Sequence, residues 1–386
     1  MSSWRIPFSK PYLSGKEREA LGRALEGGHL HGDGPFTKDA EHQLRNLTRA
    51  SRILLTPSCT AALEMAAMLS GLSRGDEVIM PSWTFTSTAN AFVLRGCVPV
   101  FVDVSPTTLT LDLAAAERAI TKATRAIVSV NYGGSGPDMA GLRAICDRHG
   151  LILVEDAAQA IGAKHQGIHY GTFGRFGCLS FHSSKNIVAG EGGALLVNDP
   201  NDAVKAEIFR EKGTDRSRFL RGEVDKYSWC DFGSSFLLPE IAAAMLGVQL
   251  RAVREITEAR VAVWLRYHES LAELVAAGDI RVPQPSASDS GNGHIYWVMC
   301  RDSQSREALR AHLATEGICA VTHYVPLHSA PAGRRFGRVA GNMAVTDDAG
   351  ATLLRLPLWA GMQDADTNMV IDAVKGFFRS RRRQST

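Results

Sequence analysis

The sequence predicts an α/β protein: a large part built on a mainly parallel, seven-stranded sheet, followed by a smaller α+β part. Three observations carry this. Between residues 52 and 199 short apolar runs alternate with helical patterns, as a parallel sheet covered on both faces requires. Residues 60–72 (TAALEMAAMLSGL) have helical periodicity between the first two apolar runs, so the three segments read as one βαβ unit. Beyond Leu238 the chain turns rich in Ala, Glu, Arg and Leu with few breakers, which marks long helices leading out of the first part.

In chain order the expected strands are 52–55, 77–80, 98–102, 126–130, 151–154, 178–181 and 194–197. The helix over 60–72 stops at Gly71 and Gly75, residues that enter the left-handed conformation with which helices end. Residues 239–274 read as long helices joined by at most a bend. After a loop at 283–291 (PQPSASDSG), strands at 294–300 and 319–324 flank a helix at 305–316, and a last helix lies near 366–378. The expected division is residues 1–250 and residues 251–386, with no internal repeat.

With 386 residues, 45% hydrophobic and 22% charged, the chain is long enough for two domains and excludes a disordered or collagen-like class. A net charge of +3 is too small to argue for nucleic acid, and the basic run at 379–383 reads as a solvated tail. Seven cysteines without paired CxxC spacing argue against a disulfide framework and a zinc site, and for a reducing compartment. The start Met1-Ser2-Ser3-Trp4-Arg5-Ile6-Pro7 lacks the apolar core of a signal peptide, and no run approaches the roughly 18 apolar residues of a membrane span. The expectation is a cytoplasmic protein with no metal, no nucleic acid and no membrane.

The chemistry centres on Lys185, in Ser180-Phe181-His182-Ser183-Ser184-Lys185-Asn186, after an apolar strand and before Gly190-Glu191-Gly192-Gly193. Its N-terminal flank is nearly uncharged, and a desolvated lysine loses its proton more easily, as a Schiff-base nucleophile must. Some thirty residues earlier Asp156 ends a strand, where ligands sit in open α/β sheets. An amine and a carboxylate in one crevice suit pyridoxal phosphate, whose ring nitrogen needs an acid to stay protonated. A helix N-cap before Ala157-Ala158 is an equal reading of Asp156. Ser58, Cys59 and Thr60 lie between a strand and an alanine-rich helix, an anion site at a helix N-terminus, and Ser180 adds a donor. Trp83 and Phe85 follow the second strand, and either ring suits stacking on the cofactor or packing in the core. Lys212, Arg216, Arg218, Arg221 and Lys226 concentrate five cations, which read equally as a diphosphate site or a charged loop.

Glu155-Asp156-Ala157-Ala158-Gln159, Ser180-Phe181-His182 with Lys185-Asn186, and Gly190-Glu191-Gly192-Gly193 resemble the DegT family of sugar-nucleotide aminotransferases. The likeness extends over nearly the whole chain, through Leu54-Leu55-Thr56-Pro57-Ser58-Cys59-Thr60, Pro81-Ser82-Trp83-Thr84-Phe85 and Arg210-Glu211-Lys212-Gly213-Thr214-Asp215-Arg216. The resemblance implies a fold type I aminotransferase using pyridoxal 5′-phosphate, a homodimer with active sites at the subunit interface. It implies that Lys185 forms the Schiff base and Asp156 holds the pyridine nitrogen. Gln159 contacts the ring near its hydroxyl, Phe85 stacks on it, and Ser180, Thr60 and the Cys59 amide hold the phosphate. Many relatives supply a partner-chain asparagine from a Gly-Tyr-Asn-Tyr stretch; this chain has Gly233-Ser234-Ser235-Phe236, with Ser235 as the substitute. The family's sugar 3-dehydratases carry histidine at the lysine position, so Lys185 argues against dehydration.

The implied reaction passes the amino group of L-glutamate to C4 of a dTDP-4-keto-6-deoxyhexose. Lys212, Arg216 and Arg221 are the candidates for the diphosphate, and His323 and Tyr324, in Thr322-His323-Tyr324-Val325-Pro326-Leu327-His328, for the sugar. Competing readings are an aminotransferase for another keto sugar or a cyclitol, and a non-catalytic regulatory paralogue.

Overall fold

The computed structural model describes residues 4–384; Met1, Ser2 and Ser3 of the amino-terminal stretch lie outside the described residues. Seven strands, β1 (Arg52–Thr56), β2 (Glu77–Pro81), β3 (Val98–Val102), β4 (Thr124–Val130), β5 (Ile152–Asp156), β6 (Phe176–Ser180) and β7 (Gly193–Val197), occupy the expected positions to within two residues. They pair in the order β1-β7-β6-β5-β4-β2-β3. The expected count of seven is corrected to eight, because Arg338–Val339 returns from the far end of the chain and pairs parallel with β3. A two-residue strand carries no period to read.

The strands are buried on both faces, and alternation still sorts their side chains. Ile53, Leu55, Ile79, Ile127 and Leu153 enter one apolar cluster, whereas Leu54, Val78, Met80, Val128 and Val154 enter the cluster on the opposite face. Only β7 runs against its neighbours; the pairings among β2, β3, β4, β5 and β6 are parallel. Reversal puts Gly193, the first residue of β7, level with the last residues of β1 and β6, Thr56 and Ser180. The C-terminal ends of the remaining strands therefore share that sheet edge.

Helices α1 (Lys16–Glu26) and α2 (Pro35–Thr48) precede the sheet, and α3 (Cys59–Leu69) follows β1. Ser58 caps α3, its hydroxyl accepting the Ala61 amide at 3.1 Å; the helix stops at Ser70, after which Gly71 takes φ +66°. The long helical run resolves into Glu240–Arg251, Val253–Ser270 and Ala272–Ala276. In the smaller part, strands Ile280–Arg281, Tyr296–Cys300 and Leu353–Leu356 form an antiparallel sheet packed with helices Ser303–Thr315 and Asp364–Gln384. Ile6, from the start of the chain, packs into this second core and bridges Ile318.

The strand expected at 319–324 is not formed. Its backbone bonds go to Ile6 on one side and Arg355 on the other as isolated bridges, and Pro326 then removes a donor. Leu353–Leu356 takes the ladder place beside the central strand Tyr296–Cys300 instead. The basic run at 379–383 falls within the last helix, where Arg379 pairs with Glu273 and Arg382 with Asp279. Among the described residues no helix is long and apolar enough to cross a membrane.

Candidate active site

At the sheet edge the two parts enclose a cavity of about 510 Å³, a volume suited to a cofactor or drug-sized ligand. Its large-part wall is made of strand ends. The turn after β1 supplies Ser58, Cys59 and Thr60, β5 supplies Asp156, β6 supplies Ser180, and the loop after β6 supplies Lys185; all line the cavity. Thr60 Oγ1 lies 2.8 Å from Ser87 Oγ, so the hydroxyls of Ser58, Thr60 and Ser87 and the amides of Cys59 and Thr60 at the start of α3 line one corner. Gly193 permits this closure: a Cβ there would lie 2.4 Å from the Ser58 carbonyl carbon and 2.5 Å from the Cys59 nitrogen. Such a corner fits a phosphate.

Asp156 is buried. Its Oδ2 accepts from the Thr88 hydroxyl at 2.6 Å and its Oδ1 from the Ala158 amide at 3.2 Å. No helix follows Ala157, so the residue caps a turn rather than a helix. Burial pushes this carboxyl above its ordinary range, against the opposing effects of Thr88, Ala158 and the Lys185 ammonium. A carboxylate whose donors do not cancel its desolvation is suited to a cation placed opposite, as a pyridinium nitrogen would be.

Lys185 stands on a loop closed by Ser183 N–H to Gly190 O at 2.9 Å and Ala189 N–H to Phe181 O at 2.7 Å. Its neighbour Asn186 is clamped from the smaller part, donating to Asn292 O at 2.9 Å and meeting His294 Nδ1 at 2.8 Å. Burial lowers the Lys185 pKa, and the nearby Arg355 charge lowers it further, while the Cys59 and Asp156 side chains oppose the shift. Amine, carboxylate and phosphate corner thus fit pyridoxal 5′-phosphate.

The two aromatic residues after β2 divide. Trp83 is 1% exposed and packs among Tyr132, His323 and Tyr324, whereas Phe85 is 58% exposed and lines the cavity. Gln159 is fixed at both ends of its amide, accepting from Gly133 N–H at 2.7 Å and donating to the Tyr324 hydroxyl at 2.9 Å. His323 and Tyr324 stack with centroids 3.7 Å apart, and His323 Nδ1 shares a 2.6 Å hydrogen bond with the Tyr132 hydroxyl. Burial, then the Arg355 and Lys185 charges, push the His323 pKa well down, so the ring stays neutral.

Four expected residues stand apart from this cavity. Lys212 and Arg216 pair with Glu211 at 3.1 and 2.9 Å, Arg221 pairs with Glu207 and Glu223, and Ser235 is exposed on the adjoining loop. Conversely, Thr88, His294, Arg260 and Arg355 belong to the site or its support but carry no local motif. One signal was available: Arg355 interrupts the apolar run Leu353-Leu354-Arg355-Leu356.

Comparison with known proteins agrees with this geometry. The family model for DegT/DnrJ/EryC1/StrS aminotransferases matches residues 11–375. A "pleiotropic regulatory protein" of Geobacillus stearothermophilus is 32% identical over 348 residues, 90% of each chain. The aminotransferase TlmJ of Streptoalloteichus hindustanus superposes with a TM-score of 0.89 at 30% identity, over 97% of this chain and 99% of that one. DesV of S. venezuelae does so with a TM-score of 0.87 at 31% identity, over the same shares. The chain belongs to the DegT/DnrJ/EryC1/StrS sugar aminotransferase family, with its type I aminotransferase fold and its cofactor, pyridoxal 5′-phosphate.

Proposed function

We propose that this enzyme transfers the amino group of L-glutamate to C4 of a dTDP-4-keto-6-deoxyhexose, releasing 2-oxoglutarate and a dTDP-4-amino-4,6-dideoxyhexose. The observation that carries the reading is one cavity lined by Lys185, by the buried Asp156 and by a corner of hydroxyls and amides. The stretches at 54–60, 81–85 and 210–216 resemble dTDP-4-amino-4,6-dideoxygalactose transaminase and favour C4 chemistry.

Bound pyridoxal 5′-phosphate supplies the electron sink that makes a Cα proton removable. Lys185 Nζ would hold the cofactor aldehyde, and its free amine would carry a proton away from the donor Cα. In the return half it delivers a proton to sugar C4. A lysine of ordinary basicity would be locked as ammonium; burial leaves this one free to accept. Asp156 keeps the ring nitrogen protonated while Thr88 and Ala158 hold the carboxylate from the other side. Ser58, Cys59, Thr60 and Ser180 bind the phosphate, Phe85 stacks on the ring, and Gln159 meets its hydroxyl edge. His323 and Tyr324 contact the sugar. Lys212, Arg216, Arg221 and Ser235 serve the cavity of the second protomer of a homodimer; Trp229, 81% exposed beside them, supports an interface there.

Incubating purified protein with dTDP-4-keto-6-deoxyglucose and L-glutamate and reading the product by NMR tests this. A C4 amine with equimolar 2-oxoglutarate is expected, and the coupling constants give its galacto or gluco configuration. Transfer to other ketones alone would favour another keto sugar or a cyclitol. A regulatory reading is favoured by the name of the Geobacillus stearothermophilus relative. Colourless protein unable to take up added cofactor would support it.

A further inference from the structure

The loop that carries Lys185 passes from solvent into the interior: His182, Ser183 and Ser184 are exposed, and Asn186 is buried. Facing Asn186 is Asn292-Gly293-His294, a segment of the smaller part that packing holds from several sides. Asn292 Nδ2 donates to the carbonyl oxygens of Gln159 and Ile161 at 2.8 and 2.9 Å, and its Oδ1 accepts the His294 amide at 3.1 Å. Arg260 donates to the carbonyl oxygens of Gly293 and His294 at 3.0 and 2.7 Å. A Cβ on Gly134 would lie 2.2 Å from Asn292 Oδ1, and one on Gly293, where φ is +59°, would lie 2.7 Å from the Arg260 carbonyl carbon. A fixed block therefore meets an otherwise solvent-facing loop.

The pairing between them has a direction. Burial, then the Lys185 and Arg260 charges, push the His294 pKa well down, so the ring is neutral and one of its nitrogens carries hydrogen. Asn186 decides which one. Its Nδ2 donates to Asn292 O at 2.9 Å, which leaves its Oδ1, an acceptor, 2.8 Å from His294 Nδ1. Nδ1 is thus the donor, and Nε2 is bare.

We propose that His294 is a positioning residue for Lys185: through Asn186, the smaller part sets where the lysine amine stands. Lys185 adjoins Asn186 in the chain, so slack at Asn186 is slack at the amine. That amine must reach the cofactor aldehyde and, on the aminotransferase reading that this inference deepens and rests on for the reaction served, the donor Cα as well. A displacement of about 1 Å at such a group costs up to about 100-fold in rate. A pair that merely fastens the two parts together would differ, costing stability and leaving the chemistry of the folded molecule alone.

The test uses the full chain with H294N, H294Q, N186A and the double variant N186A/H294Q, each below its melting transition. Asparagine places an amide nitrogen where Nδ1 stood; glutamine places it near Nε2. Protein stripped of cofactor is mixed with saturating pyridoxal 5′-phosphate, and absorbance follows its linkage to Lys185. The limiting rate is expected to fall about 10- to 100-fold in H294Q and N186A, with most of the loss recovered in H294N. The double variant should be within about threefold of the worse single one, because both substitutions remove the same contact. In the half-reaction of holoenzyme with L-glutamate, the limiting rate constant should fall in step while half-saturation stays within about threefold. If H294N does not fold, N186A against the double variant carries the test. Losses that multiply in the double variant, or variants that melt earlier yet link at the wild-type rate, overturn the assignment. So does a fast H294Q beside a slow H294N, which would put Nε2 in direct contact with the reactants. Linkage needs no substrate, so it judges His294 by itself; wild type inert toward every amino donor overturns the proposed reaction instead.

Discussion

On the large-part wall of the cavity, Ser58, Asp156, Ser180 and Lys185 each stand at a strand end or within a short loop of one. On the opposite wall, Tyr324 and His294 are held by partners more than a hundred residues away in sequence, Gln159 for Tyr324 and Asn186 for His294, and Arg355 lies over the ring of Phe8. The first wall is built by local order, a strand that stops where its helix or loop begins. The second is built by packing of a separate small sheet, where pairing with Tyr296–Cys300 sets which face of Leu353–Leu356 looks inward. On the proposed reading, the fixed steps of chemistry lie on the first wall and the choice of what reacts lies on the second.

The difference predicts unequal losses. Lys185→Ala should bring turnover below about one part in 10³ by removing the proton carrier; the variant protein should still bind cofactor, without the link to the chain that borohydride reduction makes permanent. Turnover near wild type would break the comparison at its strongest point. Asp156→Ala should lower kcat/KM on the order of 10³-fold, the scale for loss of one preorganised charge contact, and near-normal rates would refute its role at the ring nitrogen. Tyr324→Phe, on the second wall, should change KM for the sugar by about tenfold or less, one neutral hydrogen bond's worth, while the half-reaction with glutamate keeps its rate constant. A loss as large as that of Asp156→Ala would erase the division of labour.

The smallest effect concerns Glu155, the neighbour of Asp156 in β5. Its carboxylate turns away from the cavity and accepts the amides of Gly171, Phe173 and Gly174 at 2.7, 2.7 and 2.8 Å. Burial pushes its pKa from 4.5 to about 7, against those three donors. A carboxyl that titrates higher in the folded chain than in the unfolded one contributes stability present below the unfolded value and lost as pH rises through the folded one. Thermal melts from pH 4.5 to about 7 should therefore show wild type losing stability relative to Glu155→Gln as pH climbs, with a constant difference above. A difference that does not change with pH would show that the carboxyl is not displaced, while kcat per folded molecule should be alike in both.

The sequence by itself determined the seven main strands, the helix behind Ser58, the long helical run and the grouping of Lys185, Asp156 and the hydroxyl corner. Those follow from apolar periodicity and from where a strand meets its turn, both readable over a few residues. Tertiary structure alone decided that Gly193 must be bare, that residues 319–324 bridge rather than join a ladder, and that Lys212, Arg216 and Arg221 are neutralised by neighbouring glutamates. It also decided that, among the described residues, the buried Nε of Arg355 has no hydrogen-bond partner. The physical reason is range: hydrophobic pattern is local, whereas desolvation and charge pairing depend on which distant segments the packed chain brings together.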